Sequence, residues 1–347
     1  MPLHINILEN IGILRLNQGP APIIDILAMM SFKALVSALR LGIFEIIGHG
    51  GKTAGEIAAA AHIDPRGLTL LLDLLENIGY ITCRRGTYRN TGSTKKWLLA
   101  DSSFNITDLF YHFNDMASRW EYLDASIRKG APPMMGWEWL DRDAERWHTY
   151  HAGMKSSAIL ISREVMKKVK LSPYATSLID LGGSHGQYCI EFCRRYPGLK
   201  GIIYDWAPAE KTAVENIDSC NMGRRVTFRA GDFIRDPIGS DYDVVLMFNI
   251  IRIYRPDDLK SLFKKIFDST APNGMVIIMD HLGHRPWSRF MRANALLLLL
   301  ELYNSTEGKT HDKDDVAGML KECGFAHVRD YNLRRSPGLG VVTAIKG

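Results

Sequence analysis

The chain has 347 residues, 46% of them hydrophobic and 23% charged, with a formal net charge of +5. That length supports two domains with separate cores, and the composition is that of an ordinary soluble globular protein. The basic surplus is mild and scattered, so it marks out no nucleic-acid footprint. Five cysteines (83, 189, 193, 220 and 323) lack C-x-x-C spacing, and their odd number argues against a disulfide framework. They read as buried thiols in a reducing cytoplasm.

Met1 to Gln18 mixes His4, Asn6, Glu9 and Asn10 into its apolar residues, which is not the pattern of a secretory leader. Residues 20–45 place Ile23, Ile26, Leu27, Met30, Leu35, Leu39 and Ile43 at helical spacing. Thr53 and Glu56 form a capping box that opens a second helix. Asp64-Pro65 starts a third, which runs to about Gly79. Tyr80 to Thr91 then alternates around Arg85-Gly86 as a two-stranded wing. Helix, helix, wing is a winged helix-turn-helix, so DNA binding has to be weighed. The candidate reading helix carries Arg66 but also Asp73 and Glu76, which repel phosphate, and is otherwise mostly leucine. Arg84, Arg85 and Arg89 on the wing are the counter-argument.

From Ser102 to about Lys170 the pattern is helical and aromatic, broken at Pro132-Pro133, and such aromatics belong more often to a core than to a ligand pocket. Strands are expected at 177–180, 201–204, 226–229, 243–248 and 275–279, with helices between them. This alternation predicts a doubly wound α/β sheet with ligands at the carboxyl ends of its strands. Residues 336–346 supply a last antiparallel hairpin strand. The apolar run Ala295 to Leu300, flanked by Arg289, Arg292 and Glu301, is far below the ~20 residues of a membrane span and reads as a buried helix.

The most informative stretch is Ser177 to Glu210. An apolar run ends in Asp180, a turn of Gly182, Gly183, Ser184, His185 and Gly186 follows, and after a helix a second apolar run ends in Asp205. Glycines there let backbone approach a ligand, and the late carboxylate accepts hydrogen bonds from ribose hydroxyls. The dinucleotide fingerprint fails at Gln187, and no Gly-Lys-Ser/Thr ends the turn as in a P-loop. What survives is a nucleoside bound without a pyrophosphate, which suggests S-adenosyl-L-methionine.

From about Ile24 to Lys346 the chain resembles the class I S-adenosylmethionine-dependent O-methyltransferases, of the dimeric type that includes caffeate, hydroxyneurosporene and polyketide methyltransferases. The matching stretches are LGIFEIIG (41–48), DLGGSHG (180–186), GRRVTFRAGDF (223–233), YDVVLMFNII (242–251), APNGMVIIMD (271–280) and LKECGFAHV (320–328), in the family's order and spacing. The resemblance implies a Rossmann-like methyltransferase sheet with an N-terminal α-helical winged-helix dimerisation domain. The boundaries are 1–100 for the dimerisation domain, 101–170 for a helical linker lining the acceptor pocket, and 171–347 for the catalytic domain. It further implies a homodimer through the N-terminal domain, a small aromatic or polyketide-like acceptor, no nucleic acid, no membrane, and a cytoplasmic setting.

Residue by residue, Gly182, Gly183 and Gly186 would cradle the methionine half of the cofactor, with Ser184 where the family more often has a third glycine. Asp180 would order that loop, Asp205 would hold the ribose, and Asp232 and Phe233 would meet adenine. Met154 matches a methionine that packs on the acceptor ring, with His148 and His151 on the same stretch. The main departure is Arg252, at the position of the family's histidine base, because a guanidinium cannot take a proton at neutral pH. Asp280 matches one of two acids that flank that base, and the second falls near His311. Three arrangements stay open: His311 acts as base while Arg252 binds an anionic acceptor, the acceptor arrives already ionised, or Arg252 simply pairs with Asp280. The missing base also leaves room for methylation of carbon, nitrogen or sulfur, or for non-methylating chemistry. Asp257 and Asp258 read as helix-start acids, and no metal is expected.

Overall fold

Alternation along a strand and periodicity along a helix decide which residues meet here, and the computed structural model shows both. It describes Leu16 and residues 20–282, 288–308, 310–333, 336 and 338–347. The chain divides into two compact units, Met1–Asn114 and Asp115–Gly347, the boundary falling within the helix Thr107–Met116. The stretch Met1 to Gln18, apart from Leu16, lies outside the described residues.

In the first unit the helix Ile23–Arg40 buries Leu35, Val36, Ala38 and Leu39 and leaves Ile23, Ile26, Leu27, Met29 and Met30 exposed. The helix Ala54–Ala61 opens on the expected capping box, since the Glu56 amide donates to Thr53 Oγ1 and the Thr53 amide donates to Glu56 Oε2. The helix Pro65–Asn77 is capped by Asp64 and buries Leu68, Leu72 and Leu75, one stripe at helical spacing. Strands β1 (Lys52–Thr53), β2 (Ile81–Arg84) and β3 (Thr87–Asn90) form a small antiparallel sheet in the order β1-β3-β2. The β2–β3 turn puts Arg85 and Gly86 at positive φ, the two-residue hairpin geometry predicted for the wing. Glu76 also braces the wing, its Oε1 accepting the Cys83 amide at 2.7 Å. Arg89 is likewise engaged, donating to the Gly50 carbonyl.

The second unit is built on seven strands: β4 (Ser177–Leu181), β5 (Lys200–Asp205), β6 (Val226–Ala230), β7 (Tyr242–Phe248), β8 (Thr270–His281), β9 (Phe325–Asn332) and β10 (Leu339–Lys346). Their order is β6-β5-β4-β7-β8-β10-β9, parallel through β8 and antiparallel where β10 meets β8 and β9. Leu178, Val244, Leu246, Ile277 and Val341 enter one core cluster; Ile179, Leu181, Val245, Met247, Val276 and Ile278 enter another, as period-two alternation in a sheet covered on both faces requires. Strand order reverses between β4 and β7, so the crevice at their carboxyl ends is the site that topology favours for a ligand.

Three expectations need correction. The sequence reading placed no strand at 325–332, where β9 pairs with β10; its mixed polar pattern is that of an edge strand. The run Ala295 to Leu300 is helical within Arg289–Tyr303 but only Ala295 is buried, and Leu296 and Leu297 are 63% and 53% exposed. A six-residue apolar run on a helix wraps every face, so one side must point outward. Of the five cysteines only Cys189 and Cys193 are fully buried; Cys83, Cys220 and Cys323 are partly exposed.

Candidate active site

The crevice at the end of β4 begins with a turn that only glycine allows. Gly182 and Gly186 sit at φ +70° and +69°. A Cβ on Gly182 would lie 2.3 Å from Ile250 Cδ1, one on Gly186 2.1 Å from Ile203 Cδ1, and one on Gly183 2.8 Å from Asp180 Cγ. Ser184, at φ +47°, is the strained member of the turn. Two contacts hold it. Its amide donates to Asp205 Oδ2 at 2.7 Å, and its hydroxyl meets His151 Nδ1 at 2.6 Å.

Asp180 is 1% exposed, and neither of its oxygens has a hydrogen-bond partner at normal geometry among the described residues. Burial pushes its pKa up to about 8; the Asp205 charge adds to the rise, and the Cys189 amide opposes it. A buried acid without a partner is costly in isolation. Its place at the strand tip is therefore a point where a polar ligand group would be accommodated. Asp205 ends β5 with Oδ1 on the Trp206 amide and Oδ2 on the Ser184 amide, both at 2.7 Å. Burial pushes it up to about 6, against those two amides. Each oxygen keeps a second lone pair for a ribose hydroxyl.

After β6, Asp232 accepts the Ile234 amide at 3.0 Å and remains partly exposed. Phe233 is buried edge-on between Tyr204 and Tyr254. Lys265 braces that turn by donating to the Phe233 carbonyl at 2.8 Å. An aromatic face beside a carboxylate suits a purine with an exocyclic amine. The glycine turn, the two strand-tip acids and this pair thus fit a nucleoside cofactor in order along the sheet edge.

The end of β7 is of another kind. Asn249 adopts φ +59° and turns the chain into the short 3-10 segment Ile251–Ile253, which carries Arg252. Arg252 Nη1 donates to Asp280 Oδ1 at 3.1 Å and to Asn249 Oδ1 at 3.1 Å, and its amide donates to Asp280 Oδ2 at 3.3 Å. Asp280, at the end of β8, also accepts the His281 amide at 2.7 Å and is buried, whereas the arginine side chain is 22% exposed. Arg252 and Asp280 therefore pair directly. His281 is pushed down to about 4, by burial first and then by the Arg252 charge, with Asp280 opposing.

His311 is buried, and the backbone at Gly308 abuts the Arg252 carbonyl so closely that a Cβ at 308 would clash at 1.9 Å. Gly308 thus packs against the backbone of Arg252. His151 and Met154 lie on the helix Ala144–Lys168, His151 stacked on Trp147 with ring centroids 5.4 Å apart and Met154 half-buried. Sequence reasoning missed Ser184 as a partner of His151, Asn249 as the second anchor of Arg252, and the Trp206–Trp137 edge contact beside Asp205. Only Asn249 left a signal, as an asparagine directly after an apolar strand. It also missed a buried ion pair, Arg119 to Glu301 at 3.2 Å, in which burial raises Glu301 to about 7 against the arginine's charge. Asp257 and Asp258 sit in the first turn of the helix Pro256–Ser269, without capping it. Among the described residues no three His, Cys, Asp or Glu side chains gather as a metal site would require, and no helix is long and apolar enough to cross a membrane.

Comparison with known proteins agrees with this geometry. A family profile described as an O-methyltransferase domain matches residues 120–326, and one described as an O-methyltransferase dimerisation domain matches residues 25–100. Among curated proteins, the 3-hydroxy-5-methyl-1-naphthoate 3-O-methyltransferase of Streptomyces sahachiroi is 26% identical over 322 residues, covering 90% of this chain and 91% of that protein. The tetracenomycin polyketide synthesis 8-O-methyl transferase of Streptomyces glaucescens is 26% identical over 335 residues, covering 90% and 93%. Among solved structures, human N-acetylserotonin methyltransferase in complex with SAM superposes with a TM-score of 0.78 at 21% identity, over 92% of this chain and 94% of that one. An O-methyltransferase family protein from Burkholderia thailandensis gives 0.78 at 21% identity, over 94% and 98%.

Proposed function

The chain belongs to the O-methyltransferase family, enzymes dependent on S-adenosyl-L-methionine, and from that premise we propose that it methylates an oxygen of a small aromatic or polyketide-like acceptor. The observation that carries the reading is the ordered series at the strand tips: a glycine turn, the buried Asp180, Asp205, then Asp232 with Phe233. The cofactor supplies an electrophilic methyl group on a sulfonium. Gly182, Gly183 and Gly186 give its methionine end room, Asp205 binds the ribose, and Asp232 and Phe233 hold the adenine.

For the acceptor, Arg252 is the cation facing the reacting oxygen, Asp280 anchors it, and His311 is the candidate base. His151 and Met154 line the acceptor's side, in keeping with 101–170 as a pocket-lining linker between a dimerisation domain (1–100) and a catalytic domain (171–347). The two relatives act, by their names, on a hydroxynaphthoate and a tetracenomycin-type polyketide, which supports a fused aromatic acceptor. A homodimer follows from the matched dimerisation domain and from the apolar residues exposed along Ile23–Arg40.

The test is incubation with methyl-labelled cofactor and a panel of naphthols and hydroxynaphthoates. Label recovered in an aryl methyl ether is the expected result. Converted acceptor without label would replace methyl transfer by a reaction that only uses the bound sulfonium.

A further inference from the structure

The guanidinium of Arg252 is bound at one corner only. Its Nη1 is taken by Asp280 and Asn249, and among the described residues no partner meets Nη2 or Nε. Nε and Nη2 together form the edge of arginine that accepts a planar oxyanion through two parallel hydrogen bonds. The edge is held in place because Asp280 and Asn249 fix the far side, and Asn249 itself stands in a turn at φ +59°.

The Arg252 charge bears on Asp280 and His281 on β8, on Tyr150 of the helix Ala144–Lys168, and on Tyr188 of the helix Gln187–Arg195; Tyr150 also feels Asp205 and Tyr188 feels Asp180. Burial pushes both phenols up and the His281 imidazole down, so all three are neutral near pH 7. Arg252 follows β7 at the point where strand order reverses, and its neighbour Ile250 packs on Gly182 of the glycine turn. The exposed edge therefore belongs to the ligand crevice.

We propose that Arg252 is an oxyanion-binding residue and that the acceptor reaches it as an organic anion, an aryl or enol carboxylate or an acidic hydroxyl already ionised. The inference rests on the methyltransferase reading above and names its substrate class. For an ionised hydroxyl, the oxygen lone pair forms the new O–CH3 bond as the C–S bond breaks with its pair left on sulfur. The anionic and sulfonium charges cancel, and no proton has to pass to the protein. Away from water, such a cancellation of charge is favoured. For a carboxylate beside the reacting hydroxyl, the anion orients the ring, and the hydroxyl proton leaves to His311.

The experiment is calorimetric titration of the intact protein at pH 7 with 2-naphthoate, with 4-nitro-1-naphthol, whose hydroxyl is acidic, and with neutral 2-naphthol. Each is run with and without saturating S-adenosylhomocysteine. Arg252→Met should weaken the two anions by about 10- to 100-fold and 2-naphthol by less than about threefold. Because Arg252→Met leaves Asp280 unpaired, the double variant Arg252→Met/Asp280→Asn is measured beside it, with the same loss expected.

A loss confined to naphthoate assigns the site to a carboxylate, and one confined to the nitronaphthol assigns it to the reacting oxygen; either supports the proposal. Anions that bind wild type no tighter than 2-naphthol, or a variant that weakens all three alike, would overturn it. Failure of S-adenosylhomocysteine to bind would instead sink the methyltransferase reading, and the titrations without it would still decide the anion preference.

Discussion

The two halves of the strand-end crevice are made differently. At β4, β5 and β6 the site is mostly backbone: a glycine turn at positive φ, amides on Asp205, and the buried carboxyl of Asp180 at the strand tip. At β7 and β8 it is a side-chain lattice, Arg252 against Asp280 and Asn249. The first half reuses whatever the sheet topology presents, so it suits a ligand common to a whole family. The second depends on three side chains and can be rebuilt by one substitution.

The sharpest way to break that contrast is to cut the lattice. Arg252→Met strands a buried carboxylate and should destabilise the protein by about 3–5 kcal/mol, whereas adding Asp280→Asn should recover most of the loss. Urea unfolding of the two variants measures both. If the single variant is as stable as wild type, the pair is not the anchor described here.

The next largest effect is on the backbone half and appears as pH dependence. Asp180, raised to about 8, and Asp205, raised to about 6, hold protons in the folded state that the unfolded chain has already lost. At these two sites the folded state binds more protons than the unfolded state, so their contribution to stability falls as pH rises from about 4 towards 8, while His281, pushed down to about 4, works the other way below about pH 6.5. Melting without ligand should drop on the order of several degrees from pH 5 to 8. Asp180→Asn should flatten the upper part of that curve and leave the slope below about pH 6 that Asp205 contributes. A wild-type Tm that rises across this window would contradict the assignment.

A smaller effect tests whether the backbone half leans on the helix Ala144–Lys168 through His151 and Ser184. Removing the 2.6 Å contact by Ser184→Ala should weaken S-adenosylhomocysteine binding by about tenfold. Ser184→Gly separates two causes, since it relieves the strain at φ +47° while deleting the same hydroxyl. Weaker binding in both variants points to the histidine link; tighter binding in the glycine variant alone would show that only the turn geometry matters.

This division also explains what the sequence made legible. Strand ends at 177–181, 200–205 and 226–230 fell within a residue or two of expectation, because apolar runs closed by an acid or glycine carry their own boundaries. Both helix caps at Thr53 and Asp64 were readable from neighbours three residues apart. The pairing of Arg252 with Asp280 could be posed as one of several arrangements but not chosen, since 28 residues separate them and the choice depends on strand register. The His151–Ser184 contact spans 33 residues and depends on the rotation of a 25-residue helix, which periodicity alone does not give. The exposure of Leu296 and Leu297 escaped for a related reason: hydrophobicity sets the cost of exposure, not which face of a helix is covered.

The claim on which the rest depends is that the nucleoside lies on the tips of β4 to β6 with Asp205 on its ribose. Isothermal titration of the purified protein with S-adenosylhomocysteine tests it most directly. Wild type should give saturable heat at one site per chain, and Asp205→Ala should lose it while circular dichroism shows an unchanged fold. Saturable heat of equal affinity in Asp205→Ala, or none in wild type, would contradict the account.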